Sequence, residues 1–396
     1  MARPLKIFIS AGESSGDIYG AALARSIREA SPGASVYGIG LSKMKEAGVS
    51  LFVNLAGHSV MGVTEILSSV YENYRTIKKA GAFFKSEGID ALVLIDYAGF
   101  NLELARQAKR HGMKVFYFIA PKLWAWGSFR MKKLKSFVDR IYSIFPFEHD
   151  YFKGHGVETR FFGHPLFDII AGTGFDFPAF LKKEQEGYVR KNRIVLMPGS
   201  RRSEIINNLP MMLECAAALY EKYSGHYHGL EFVMPIAPSS DAGVIEKLLK
   251  DSRVGVETVA GELEKYRLFS EAIFAIATSG TATLELALFG VPMVITYRVA
   301  LFTELAGRLL INSRFIGLPN IIHGSQVASE LLQRSANTEN LIYHSSRMLG
   351  SADSLASRRK LLLKTSELLR FNGAASPVGL AAADIINEVG GIVGSS

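Results

Sequence analysis

Cysteine is almost missing, with Cys215 the single one in 396 residues. One thiol closes no internal bridge, which excludes a disulfide scaffold and makes a reducing compartment the expectation. Long apolar runs are also missing. The most apolar region, Ala272 to Tyr297, is interrupted by Glu285 and broken by Gly280, Gly290 and Pro292. A membrane-spanning helix needs about 20 mostly apolar residues. The start, MARPLKIFISAGESSGD, holds an apolar run too short for the core of a secretion signal, and it leads straight into a charged glycine loop. A cytoplasmic protein is therefore expected.

Several signatures of chemistry are absent as well. The nine histidines are scattered, and no His, Cys or carboxylate cluster has metal-ligand spacing. No Asp-x-Asp pair could hold a metal on a nucleotide diphosphate. The loop Ala11-Gly-Glu-Ser-Ser-Gly-Asp17 is neither the three-glycine dinucleotide fingerprint nor a P-loop, so NAD binding is disfavoured. The 37 glycines follow no period of three, which excludes collagen-like repeats, and 48% apolar residues excludes intrinsic disorder.

What is present is an α/β pattern. Short continuous apolar runs lie at Leu5–Ser10, Ala91–Ile95, Lys114–Ile119, Ile141–Phe145, Arg193–Met197, Leu230–Met234, Ile273–Ala277 and Pro292–Tyr297. Such runs suit parallel strands buried on both faces. Between them come helix-like stretches such as Asn101–His111, Pro210–Ser224, Thr281–Leu288 and Ser354–Phe371. IFISAGESSGDI (7–18) and IVLMPGSRRSEI (194–205) share one layout: strand, glycine, small polar residues, then an acid and Ile. Each reads as the first strand, loop and helix of a Rossmann-like domain, so two such domains in tandem are expected to face each other across a cleft. Their join is expected near Gly172–Gly187, where strand character is lost.

Several loops could carry chemistry. Pro198-Gly-Ser-Arg-Arg-Ser-Glu204 offers backbone N–H groups and Arg201 or Arg202 to a diphosphate, although adjacent arginines can also be merely solvated. Ser279-Gly-Thr-Ala-Thr-Leu-Glu285 opens a helix whose amides and hydroxyls suit phosphate. Glu285 follows, placed to accept both hydroxyls of a ribose. The plainer reading makes Ser279 an N-cap and Glu285 a surface residue, but an unpaired carboxylate in so apolar a region is costly. Asp96 ends a strand and is placed as a general base or as a turn-starting acid. His164, in Gly-His-Pro, reads as a turn residue.

The charge is basic, with 45 Lys plus Arg against 37 Asp plus Glu and a formal net charge of +8. Both tryptophans, Trp124 and Trp126, fall in LWAWGSFRMKKLKSF with Phe129, Arg130, Lys132, Lys133 and Lys135. This mixture suits an anionic membrane surface or single-stranded nucleic acid. It also suits a helix with a solvated basic face over a buried aromatic loop. Val299–Ile311 is a second candidate lipid-facing helix, with an apolar stripe at Leu301, Phe302, Leu305 and Leu309.

Eleven motifs in order then resemble the lipid-A-disaccharide synthases, inverting glycosyltransferases of bacterial lipid A assembly. They are AGESSGD (11–17), SVMGVTE (59–65), IDYAGFN (95–101), APKLWAW (120–126), FPFE (145–148), GHPL (163–166), MPGSRRSE (197–204), SGTATLE (279–285), PMVITYR (292–298), LPNII (318–322) and ELLQ (330–333). The resemblance implies a GT-B fold, divided as an acceptor- and lipid-side domain at 1–175 and a UDP-sugar-binding domain at 176–365. Residues 366–396 would then cross back to the first domain. It implies transfer from UDP-2,3-diacylglucosamine to 2,3-diacylglucosamine 1-phosphate, giving a β-1,6 disaccharide 1-phosphate and UDP, with no metal or other cofactor. By position, Asp96 is implied as the base, Arg201 as the diphosphate clamp and Ser15 as a neighbour of the reacting groups. Gly199, Ser200, Ser279, Gly280, Thr281, Glu285, Asn320 and Gln333 are implied on the nucleotide-sugar side. A peripheral place on the cytoplasmic face of the inner membrane follows, with no nucleic acid as partner. The competing readings are another GT-B activity, such as a UDP-sugar 2-epimerase, and a basic nucleic-acid binder. One departure stands out: Ala98 and Gly99 replace the Pro and second Asp usual in the family's aspartate motif.

Overall fold

A computed structural model describes residues 3–54, 63–124, 128–237, 240–298, 314–371 and 375–393, with only the backbone at 54, 63–72 and 391–393. Trp126 and the stretch 299–311 lie outside the described residues, as does part of the motif at 59–65. The chain forms two compact units, Met1–Ile169 with Leu369–Ser396, and Ile170–Leu368.

The first unit is built on a parallel sheet of β1 (Lys6–Ala11), β2 (Ser35–Gly40), β3 (Ser50–Asn54), β4 (Ala91–Ile95), β5 (Lys114–Phe118), β6 (Arg140–Tyr142) and β7 (Thr159–Arg160), in the order β3-β2-β1-β4-β5-β6-β7. Alternation along β1 and β4 fills both faces. Ile7, Ile9, Val93 and Ile95 pack into one core, and Phe8, Leu92 and Leu94 into the other. The helix Pro377–Val393 closes the first of these cores, laying Val378, Ala381, Ala382 and Ile385 against Leu23, Ala24 and Ile27 of the helix Ser14–Ala30. Its Asp384 accepts from the Arg140 guanidinium and the Tyr142 hydroxyl, both at 2.8 Å, and pairs with Arg160.

The second unit repeats the plan with β8 (Arg193–Met197), β9 (Glu231–Ile236), β10 (Val256–Ala260), β11 (Phe274–Thr278), β12 (Met293–Tyr297) and β13 (Ser329–Leu332). All are parallel, in the order β10-β9-β8-β11-β12-β13. Two Rossmann-like domains of parallel sheets are thus present. Residues 172–187 lack strands, but much of that stretch is a helix, Phe177–Gln185, capped by Asp176 accepting from the Ala179 N–H at 2.9 Å.

Two helices start earlier than their patterns indicate. Ala98–Arg110 begins before Asn101. Arg202–Tyr223 begins before Pro210, which it carries in its interior. A mid-helix proline forfeits one backbone hydrogen bond. Here Ile205, Leu209, Met212, Ala216 and Leu219, buried along one face, keep the helix continuous through it.

Candidate functional site

In each sheet the strand order reverses once, between β1 and β4 in the first and between β8 and β11 in the second. Crevices for ligands open beyond the carboxyl ends of strands at such reversals. Both glycine loops and Asp96 sit there.

In the first unit Ala11 is in register with Ile95, so the chain leaves β1 through Gly12 and β4 through Asp96 side by side. A Cβ on Gly12 would lie 2.4 Å from Cδ1 of Tyr97, so this glycine lets the Tyr97 ring rest on the loop. Asp96 and Tyr97 are consecutive left-handed residues, with φ of +45° and +47°, and neither is glycine. Backbone in this region is strained for ordinary residues and collects at functional sites. Asp96 is exposed at the mouth of the turn, yet crowding by protein atoms still raises its pKa. Lys122 opposes that rise and Glu13 adds to it. Ser15 is exposed in the first turn of the helix after β1. Asp17, in the same motif, is buried instead and caps the next short helix, accepting from the N–H groups of Leu41 at 2.7 Å and Lys43 at 2.8 Å.

In the second unit Met197 is in register with Ala277, which places the loop after β8 beside the turn after β11. Gly199 has a φ of +105°, and a Cβ there would meet the Glu204 carboxylate at 2.4 Å. Glu204 Oε2 accepts from the N–H groups of Ser200 at 3.1 Å and Arg201 at 3.2 Å, and Oε1 takes the Arg201 guanidinium at 3.2 Å. This is the carboxylate half of a capping box, and it lies where an anion would dock. The Arg201 side chain is otherwise 66% exposed, and Arg202 pairs with Asp241 at 2.7 Å. Across the turn, Ser279 donates its N–H to Thr296, while Gly280 and Thr281 are exposed at the start of a helix that no side chain caps.

Glu285 is buried, and its Oε1 accepts from Lys265 Nζ and the Tyr266 hydroxyl, both at 2.9 Å. Burial works against the Lys265 charge, but Glu285 and Glu262 outweigh it and the lysine pKa is raised. These two partners remove the cost of an isolated carboxylate, and sequence reasoning did not single them out. Asn320 is also buried. Its Nδ2 donates to the Ala328 carbonyl at 2.8 Å and to Glu330 at 2.6 Å, and its Oδ1 accepts from the N–H groups of Val327 and Ala328. Its amide is therefore fully engaged by the chain itself. Gln333 stands at the carboxyl end of β13 with a φ of +52°.

The sequence model described as Lipid-A-disaccharide synthetase matches residues 7–381. A lipid-A-disaccharide synthase of Syntrophus aciditrophicus is 35% identical over 389 residues, covering 96% of this chain and 98% of its own. One of Geobacter sulfurreducens is 37% identical over 374 residues, covering 94% and 95%. The chain belongs to this family. Its activity is that of a hexosyltransferase forming the lipid A disaccharide, from a UDP-sugar and a sugar acceptor. Solved structures agree on the fold. The UDP-GlcNAc 2-epimerase of Methanocaldococcus jannaschii has a TM-score of 0.59 at 14% identity, with 97% of this chain and 100% of that one covered. The calicheamicin glycosyltransferase has a TM-score of 0.55 at 15% identity, with 99% of each covered. At such identities they show the GT-B architecture alone.

Within the family frame, the aromatic-basic segment divides. Trp124 is half-buried. Its indole N–H donates to Glu148 Oε1 at 2.9 Å, and its ring meets Phe147 edge-on at 4.8 Å. Phe129, by contrast, is 75% exposed with the Arg130 guanidinium over its ring at 4.9 Å. The helix Met131–Phe137 buries Met131 and Leu134 and leaves Lys132, Lys133 and Lys135 exposed, with Lys133 reaching Glu103 at 2.7 Å. Gly99, in the departing motif, is exposed, and a Cβ there would meet nothing within 4 Å, so the missing acid leaves open space. Ala98 follows the left-handed Tyr97, a conformation that a residue before proline disfavours. His164 is buried in its turn, accepting from the Leu166 N–H at 3.0 Å, with its pKa lowered to about 3 by burial. Among the described residues no helix is long and apolar enough to cross a membrane.

Glu148 is the titratable group that sequence reasoning passed over. Fully buried, it has its pKa raised from 4.5 to about 7, burial outweighing the donors from Trp124 and Ile144. A carboxyl whose folded pKa is raised contributes stability that is full below its unfolded value and lost as pH rises through the folded one. Glu148→Gln keeps an acceptor for Trp124 and cannot ionise. Its melting temperature should gain on the parent's as pH goes from about 5 to about 8. A difference that stays flat across that window would exclude this ionisation.

Proposed function

We propose that the chain joins UDP-2,3-diacylglucosamine to 2,3-diacylglucosamine 1-phosphate with inversion at the anomeric carbon, giving the β-1,6 disaccharide 1-phosphate and UDP. The observation that carries this reading is Asp96, an exposed carboxylate with a raised pKa beyond the strand-order reversal of the first sheet. A base is effective when its pKa approaches the working pH. Asp96 takes the proton of the acceptor's 6-hydroxyl as that oxygen forms its bond to the anomeric carbon. The bond to the diphosphate oxygen breaks, its electron pair leaves with UDP, and the ring passes through an oxocarbenium-like state.

The second unit supplies the leaving-group chemistry. Arg201, with the backbone of Gly199 and Ser200, neutralises the departing diphosphate, and Ser279, Gly280 and Thr281 offer amides and hydroxyls to it. Glu285, held at Oε1 by Lys265 and Tyr266, presents Oε2 to the ribose. Gln333 belongs to the same nucleotide side. Asn320 acts indirectly, tying the turn Ile316–Gly317 to β13 through Glu330. Ser15 stands near the acceptor. Phe129 with Arg130, Lys132, Lys133 and Lys135 meets an anionic bilayer, which places the protein peripherally on the cytoplasmic face of the inner membrane.

A UDP-release assay tests this. Release should require both acylated sugars together. Release without the acceptor, or conversion of a UDP-sugar to its 2-epimer, would overturn the reading.

A further inference from the structure

The main-chain carbonyl of Asp96 accepts two hydrogen bonds at once, from Asn101 Nδ2 at 2.8 Å and from the Tyr117 hydroxyl at 2.5 Å. Its N–H donates to the carbonyl of Ile119 at 3.0 Å. Ile119 has a φ of +64°, rare for a β-branched residue. Three non-glycine residues in left-handed conformation, Asp96, Tyr97 and Ile119, thus meet at one turn.

Both donors are buried and fixed. Asn101 is fully buried in the helix Ala98–Arg110; its Oδ1 accepts from the Ser10 hydroxyl at 2.7 Å, and Nδ2 also reaches the Ile95 carbonyl at 3.1 Å. Tyr117 is fully buried at the end of β5. Burial, with Asp96 nearby, keeps its phenol protonated far above the usual range, so it remains a donor at every working pH. On the outer side the Tyr97 ring lies on Gly12 and stacks on Phe100, with centroids 5.6 Å apart. Strands β1 and β5 and the turn after β4 thus each contribute one polar group, Ser10, Tyr117 and Asp96.

We propose that Asn101 and Tyr117 are positioning residues for the transfer reaction, which hold the Asp96 main chain in its left-handed conformation and so aim its carboxylate. The inference rests on the reading of Asp96 as base. Left-handed backbone at a non-glycine residue is costly and persists only where its surroundings enforce it. Two donors saturate both lone pairs of the Asp96 carbonyl, and a buried carbonyl left without one of them pays its desolvation cost. Relaxing Asp96 to an ordinary negative φ would turn its Cα–Cβ bond far beyond the roughly 10–20° that a catalytic group tolerates.

Tyr117→Phe removes one donor and keeps the ring. Tyr142→Phe is the control, removing a buried hydroxyl that serves Asp384 on the same sheet. With purified full-length protein and both acylated sugars, Tyr117→Phe should lower kcat roughly 10- to 100-fold, with KM values within about twofold of the parent. The acidic limb of its kcat–pH profile should move to lower pH, because a loosened Asp96 carboxylate gains water while Glu13 and Lys122 stay in place. Tyr142→Phe should lose thermal stability and keep the parent's kcat and pH profile. Tyr117→Phe with the parent's kcat and pH profile, beside an inactive Asp96→Asn, would overturn the positioning role alone. An active Asp96→Asn would overturn the base reading and this proposal with it.

Discussion

Asp96→Asn should lower kcat for UDP release by about 10²- to 10⁴-fold, the range that a positioned general base supplies. The replacement keeps size and shape, and the main-chain carbonyl of residue 96 keeps its donors from Asn101 and Tyr117. What is lost is the ability to take a proton. KM for the UDP-sugar should change little, since the residues proposed to hold the nucleotide belong to the second unit. Stability should not fall. The folded pKa of Asp96 is raised, so its ionisation weakens the native state as pH climbs through that value, and a neutral amide removes this cost. Steady-state kinetics with a melting curve at neutral pH separate the two effects. A kcat within tenfold of the parent would remove Asp96 from the base role.

Arg190→Met should destabilise the second unit by about 3–5 kcal/mol, as expected when one member of a buried ion pair is removed. The Arg190 side chain is 0% exposed, and Glu184, its partner at 3.0 Å, is 4% exposed. Its remaining donors reach the carbonyls of Phe269 at 3.2 Å, Ala272 at 2.9 Å and Phe289 at 2.5 Å. One guanidinium thereby ties the helix Phe177–Gln185 to the ends of Glu262–Glu271 and Thr281–Leu288. Burial pushes its pKa down to about 10, with Glu184 opposing, so it stays charged at neutral pH. Met fills much of the volume but takes away the cation hydrogen-bonded to Glu184, leaving only the more distant charge of Arg359. Adding Glu184→Leu should therefore recover part of the loss in denaturant melts, although the three carbonyls stay unpaired. A single variant within about 1 kcal/mol of the parent would show that water replaces the guanidinium.

The sheets were legible because their central strands are buried on both faces. ALVLI and FAIAT, now β4 and β11, are buried at every position and read as continuous apolar runs. Several outer strands were not legible. β2 carries two glycines in SVYGIG, β10 is mostly exposed in VETVA, and β7 is only two residues long. Pairing with a neighbour, which no local pattern records, makes them strands.

The same distinction governs the candidate site. Asp96 and the two glycine loops were legible because their residue types and places after strands carry the signal. The partners of those residues come from distant positions and have no motif of their own. Lys265 and Tyr266 reach Glu285 from another helix, and Glu330 reaches Asn320 from a neighbouring strand. Glu148, which holds the Trp124 indole N–H, likewise lies 24 residues away from it. The left-handed turn at Asp96 is equally silent, since no glycine marks it.

The helix Pro377–Val393 bears on the order in which the protein is completed. A ribosome delivers the chain from its amino end, and domains generally finish folding in that order. Here the core beneath β1 lacks Val378, Ala381, Ala382 and Ile385 until every residue of the second unit has been synthesised. The second unit is one uninterrupted stretch, and all of it has emerged by then. The domain whose synthesis begins first is therefore the one completed last. During translation its unfinished apolar face is the part of the nascent protein most in need of a chaperone's cover.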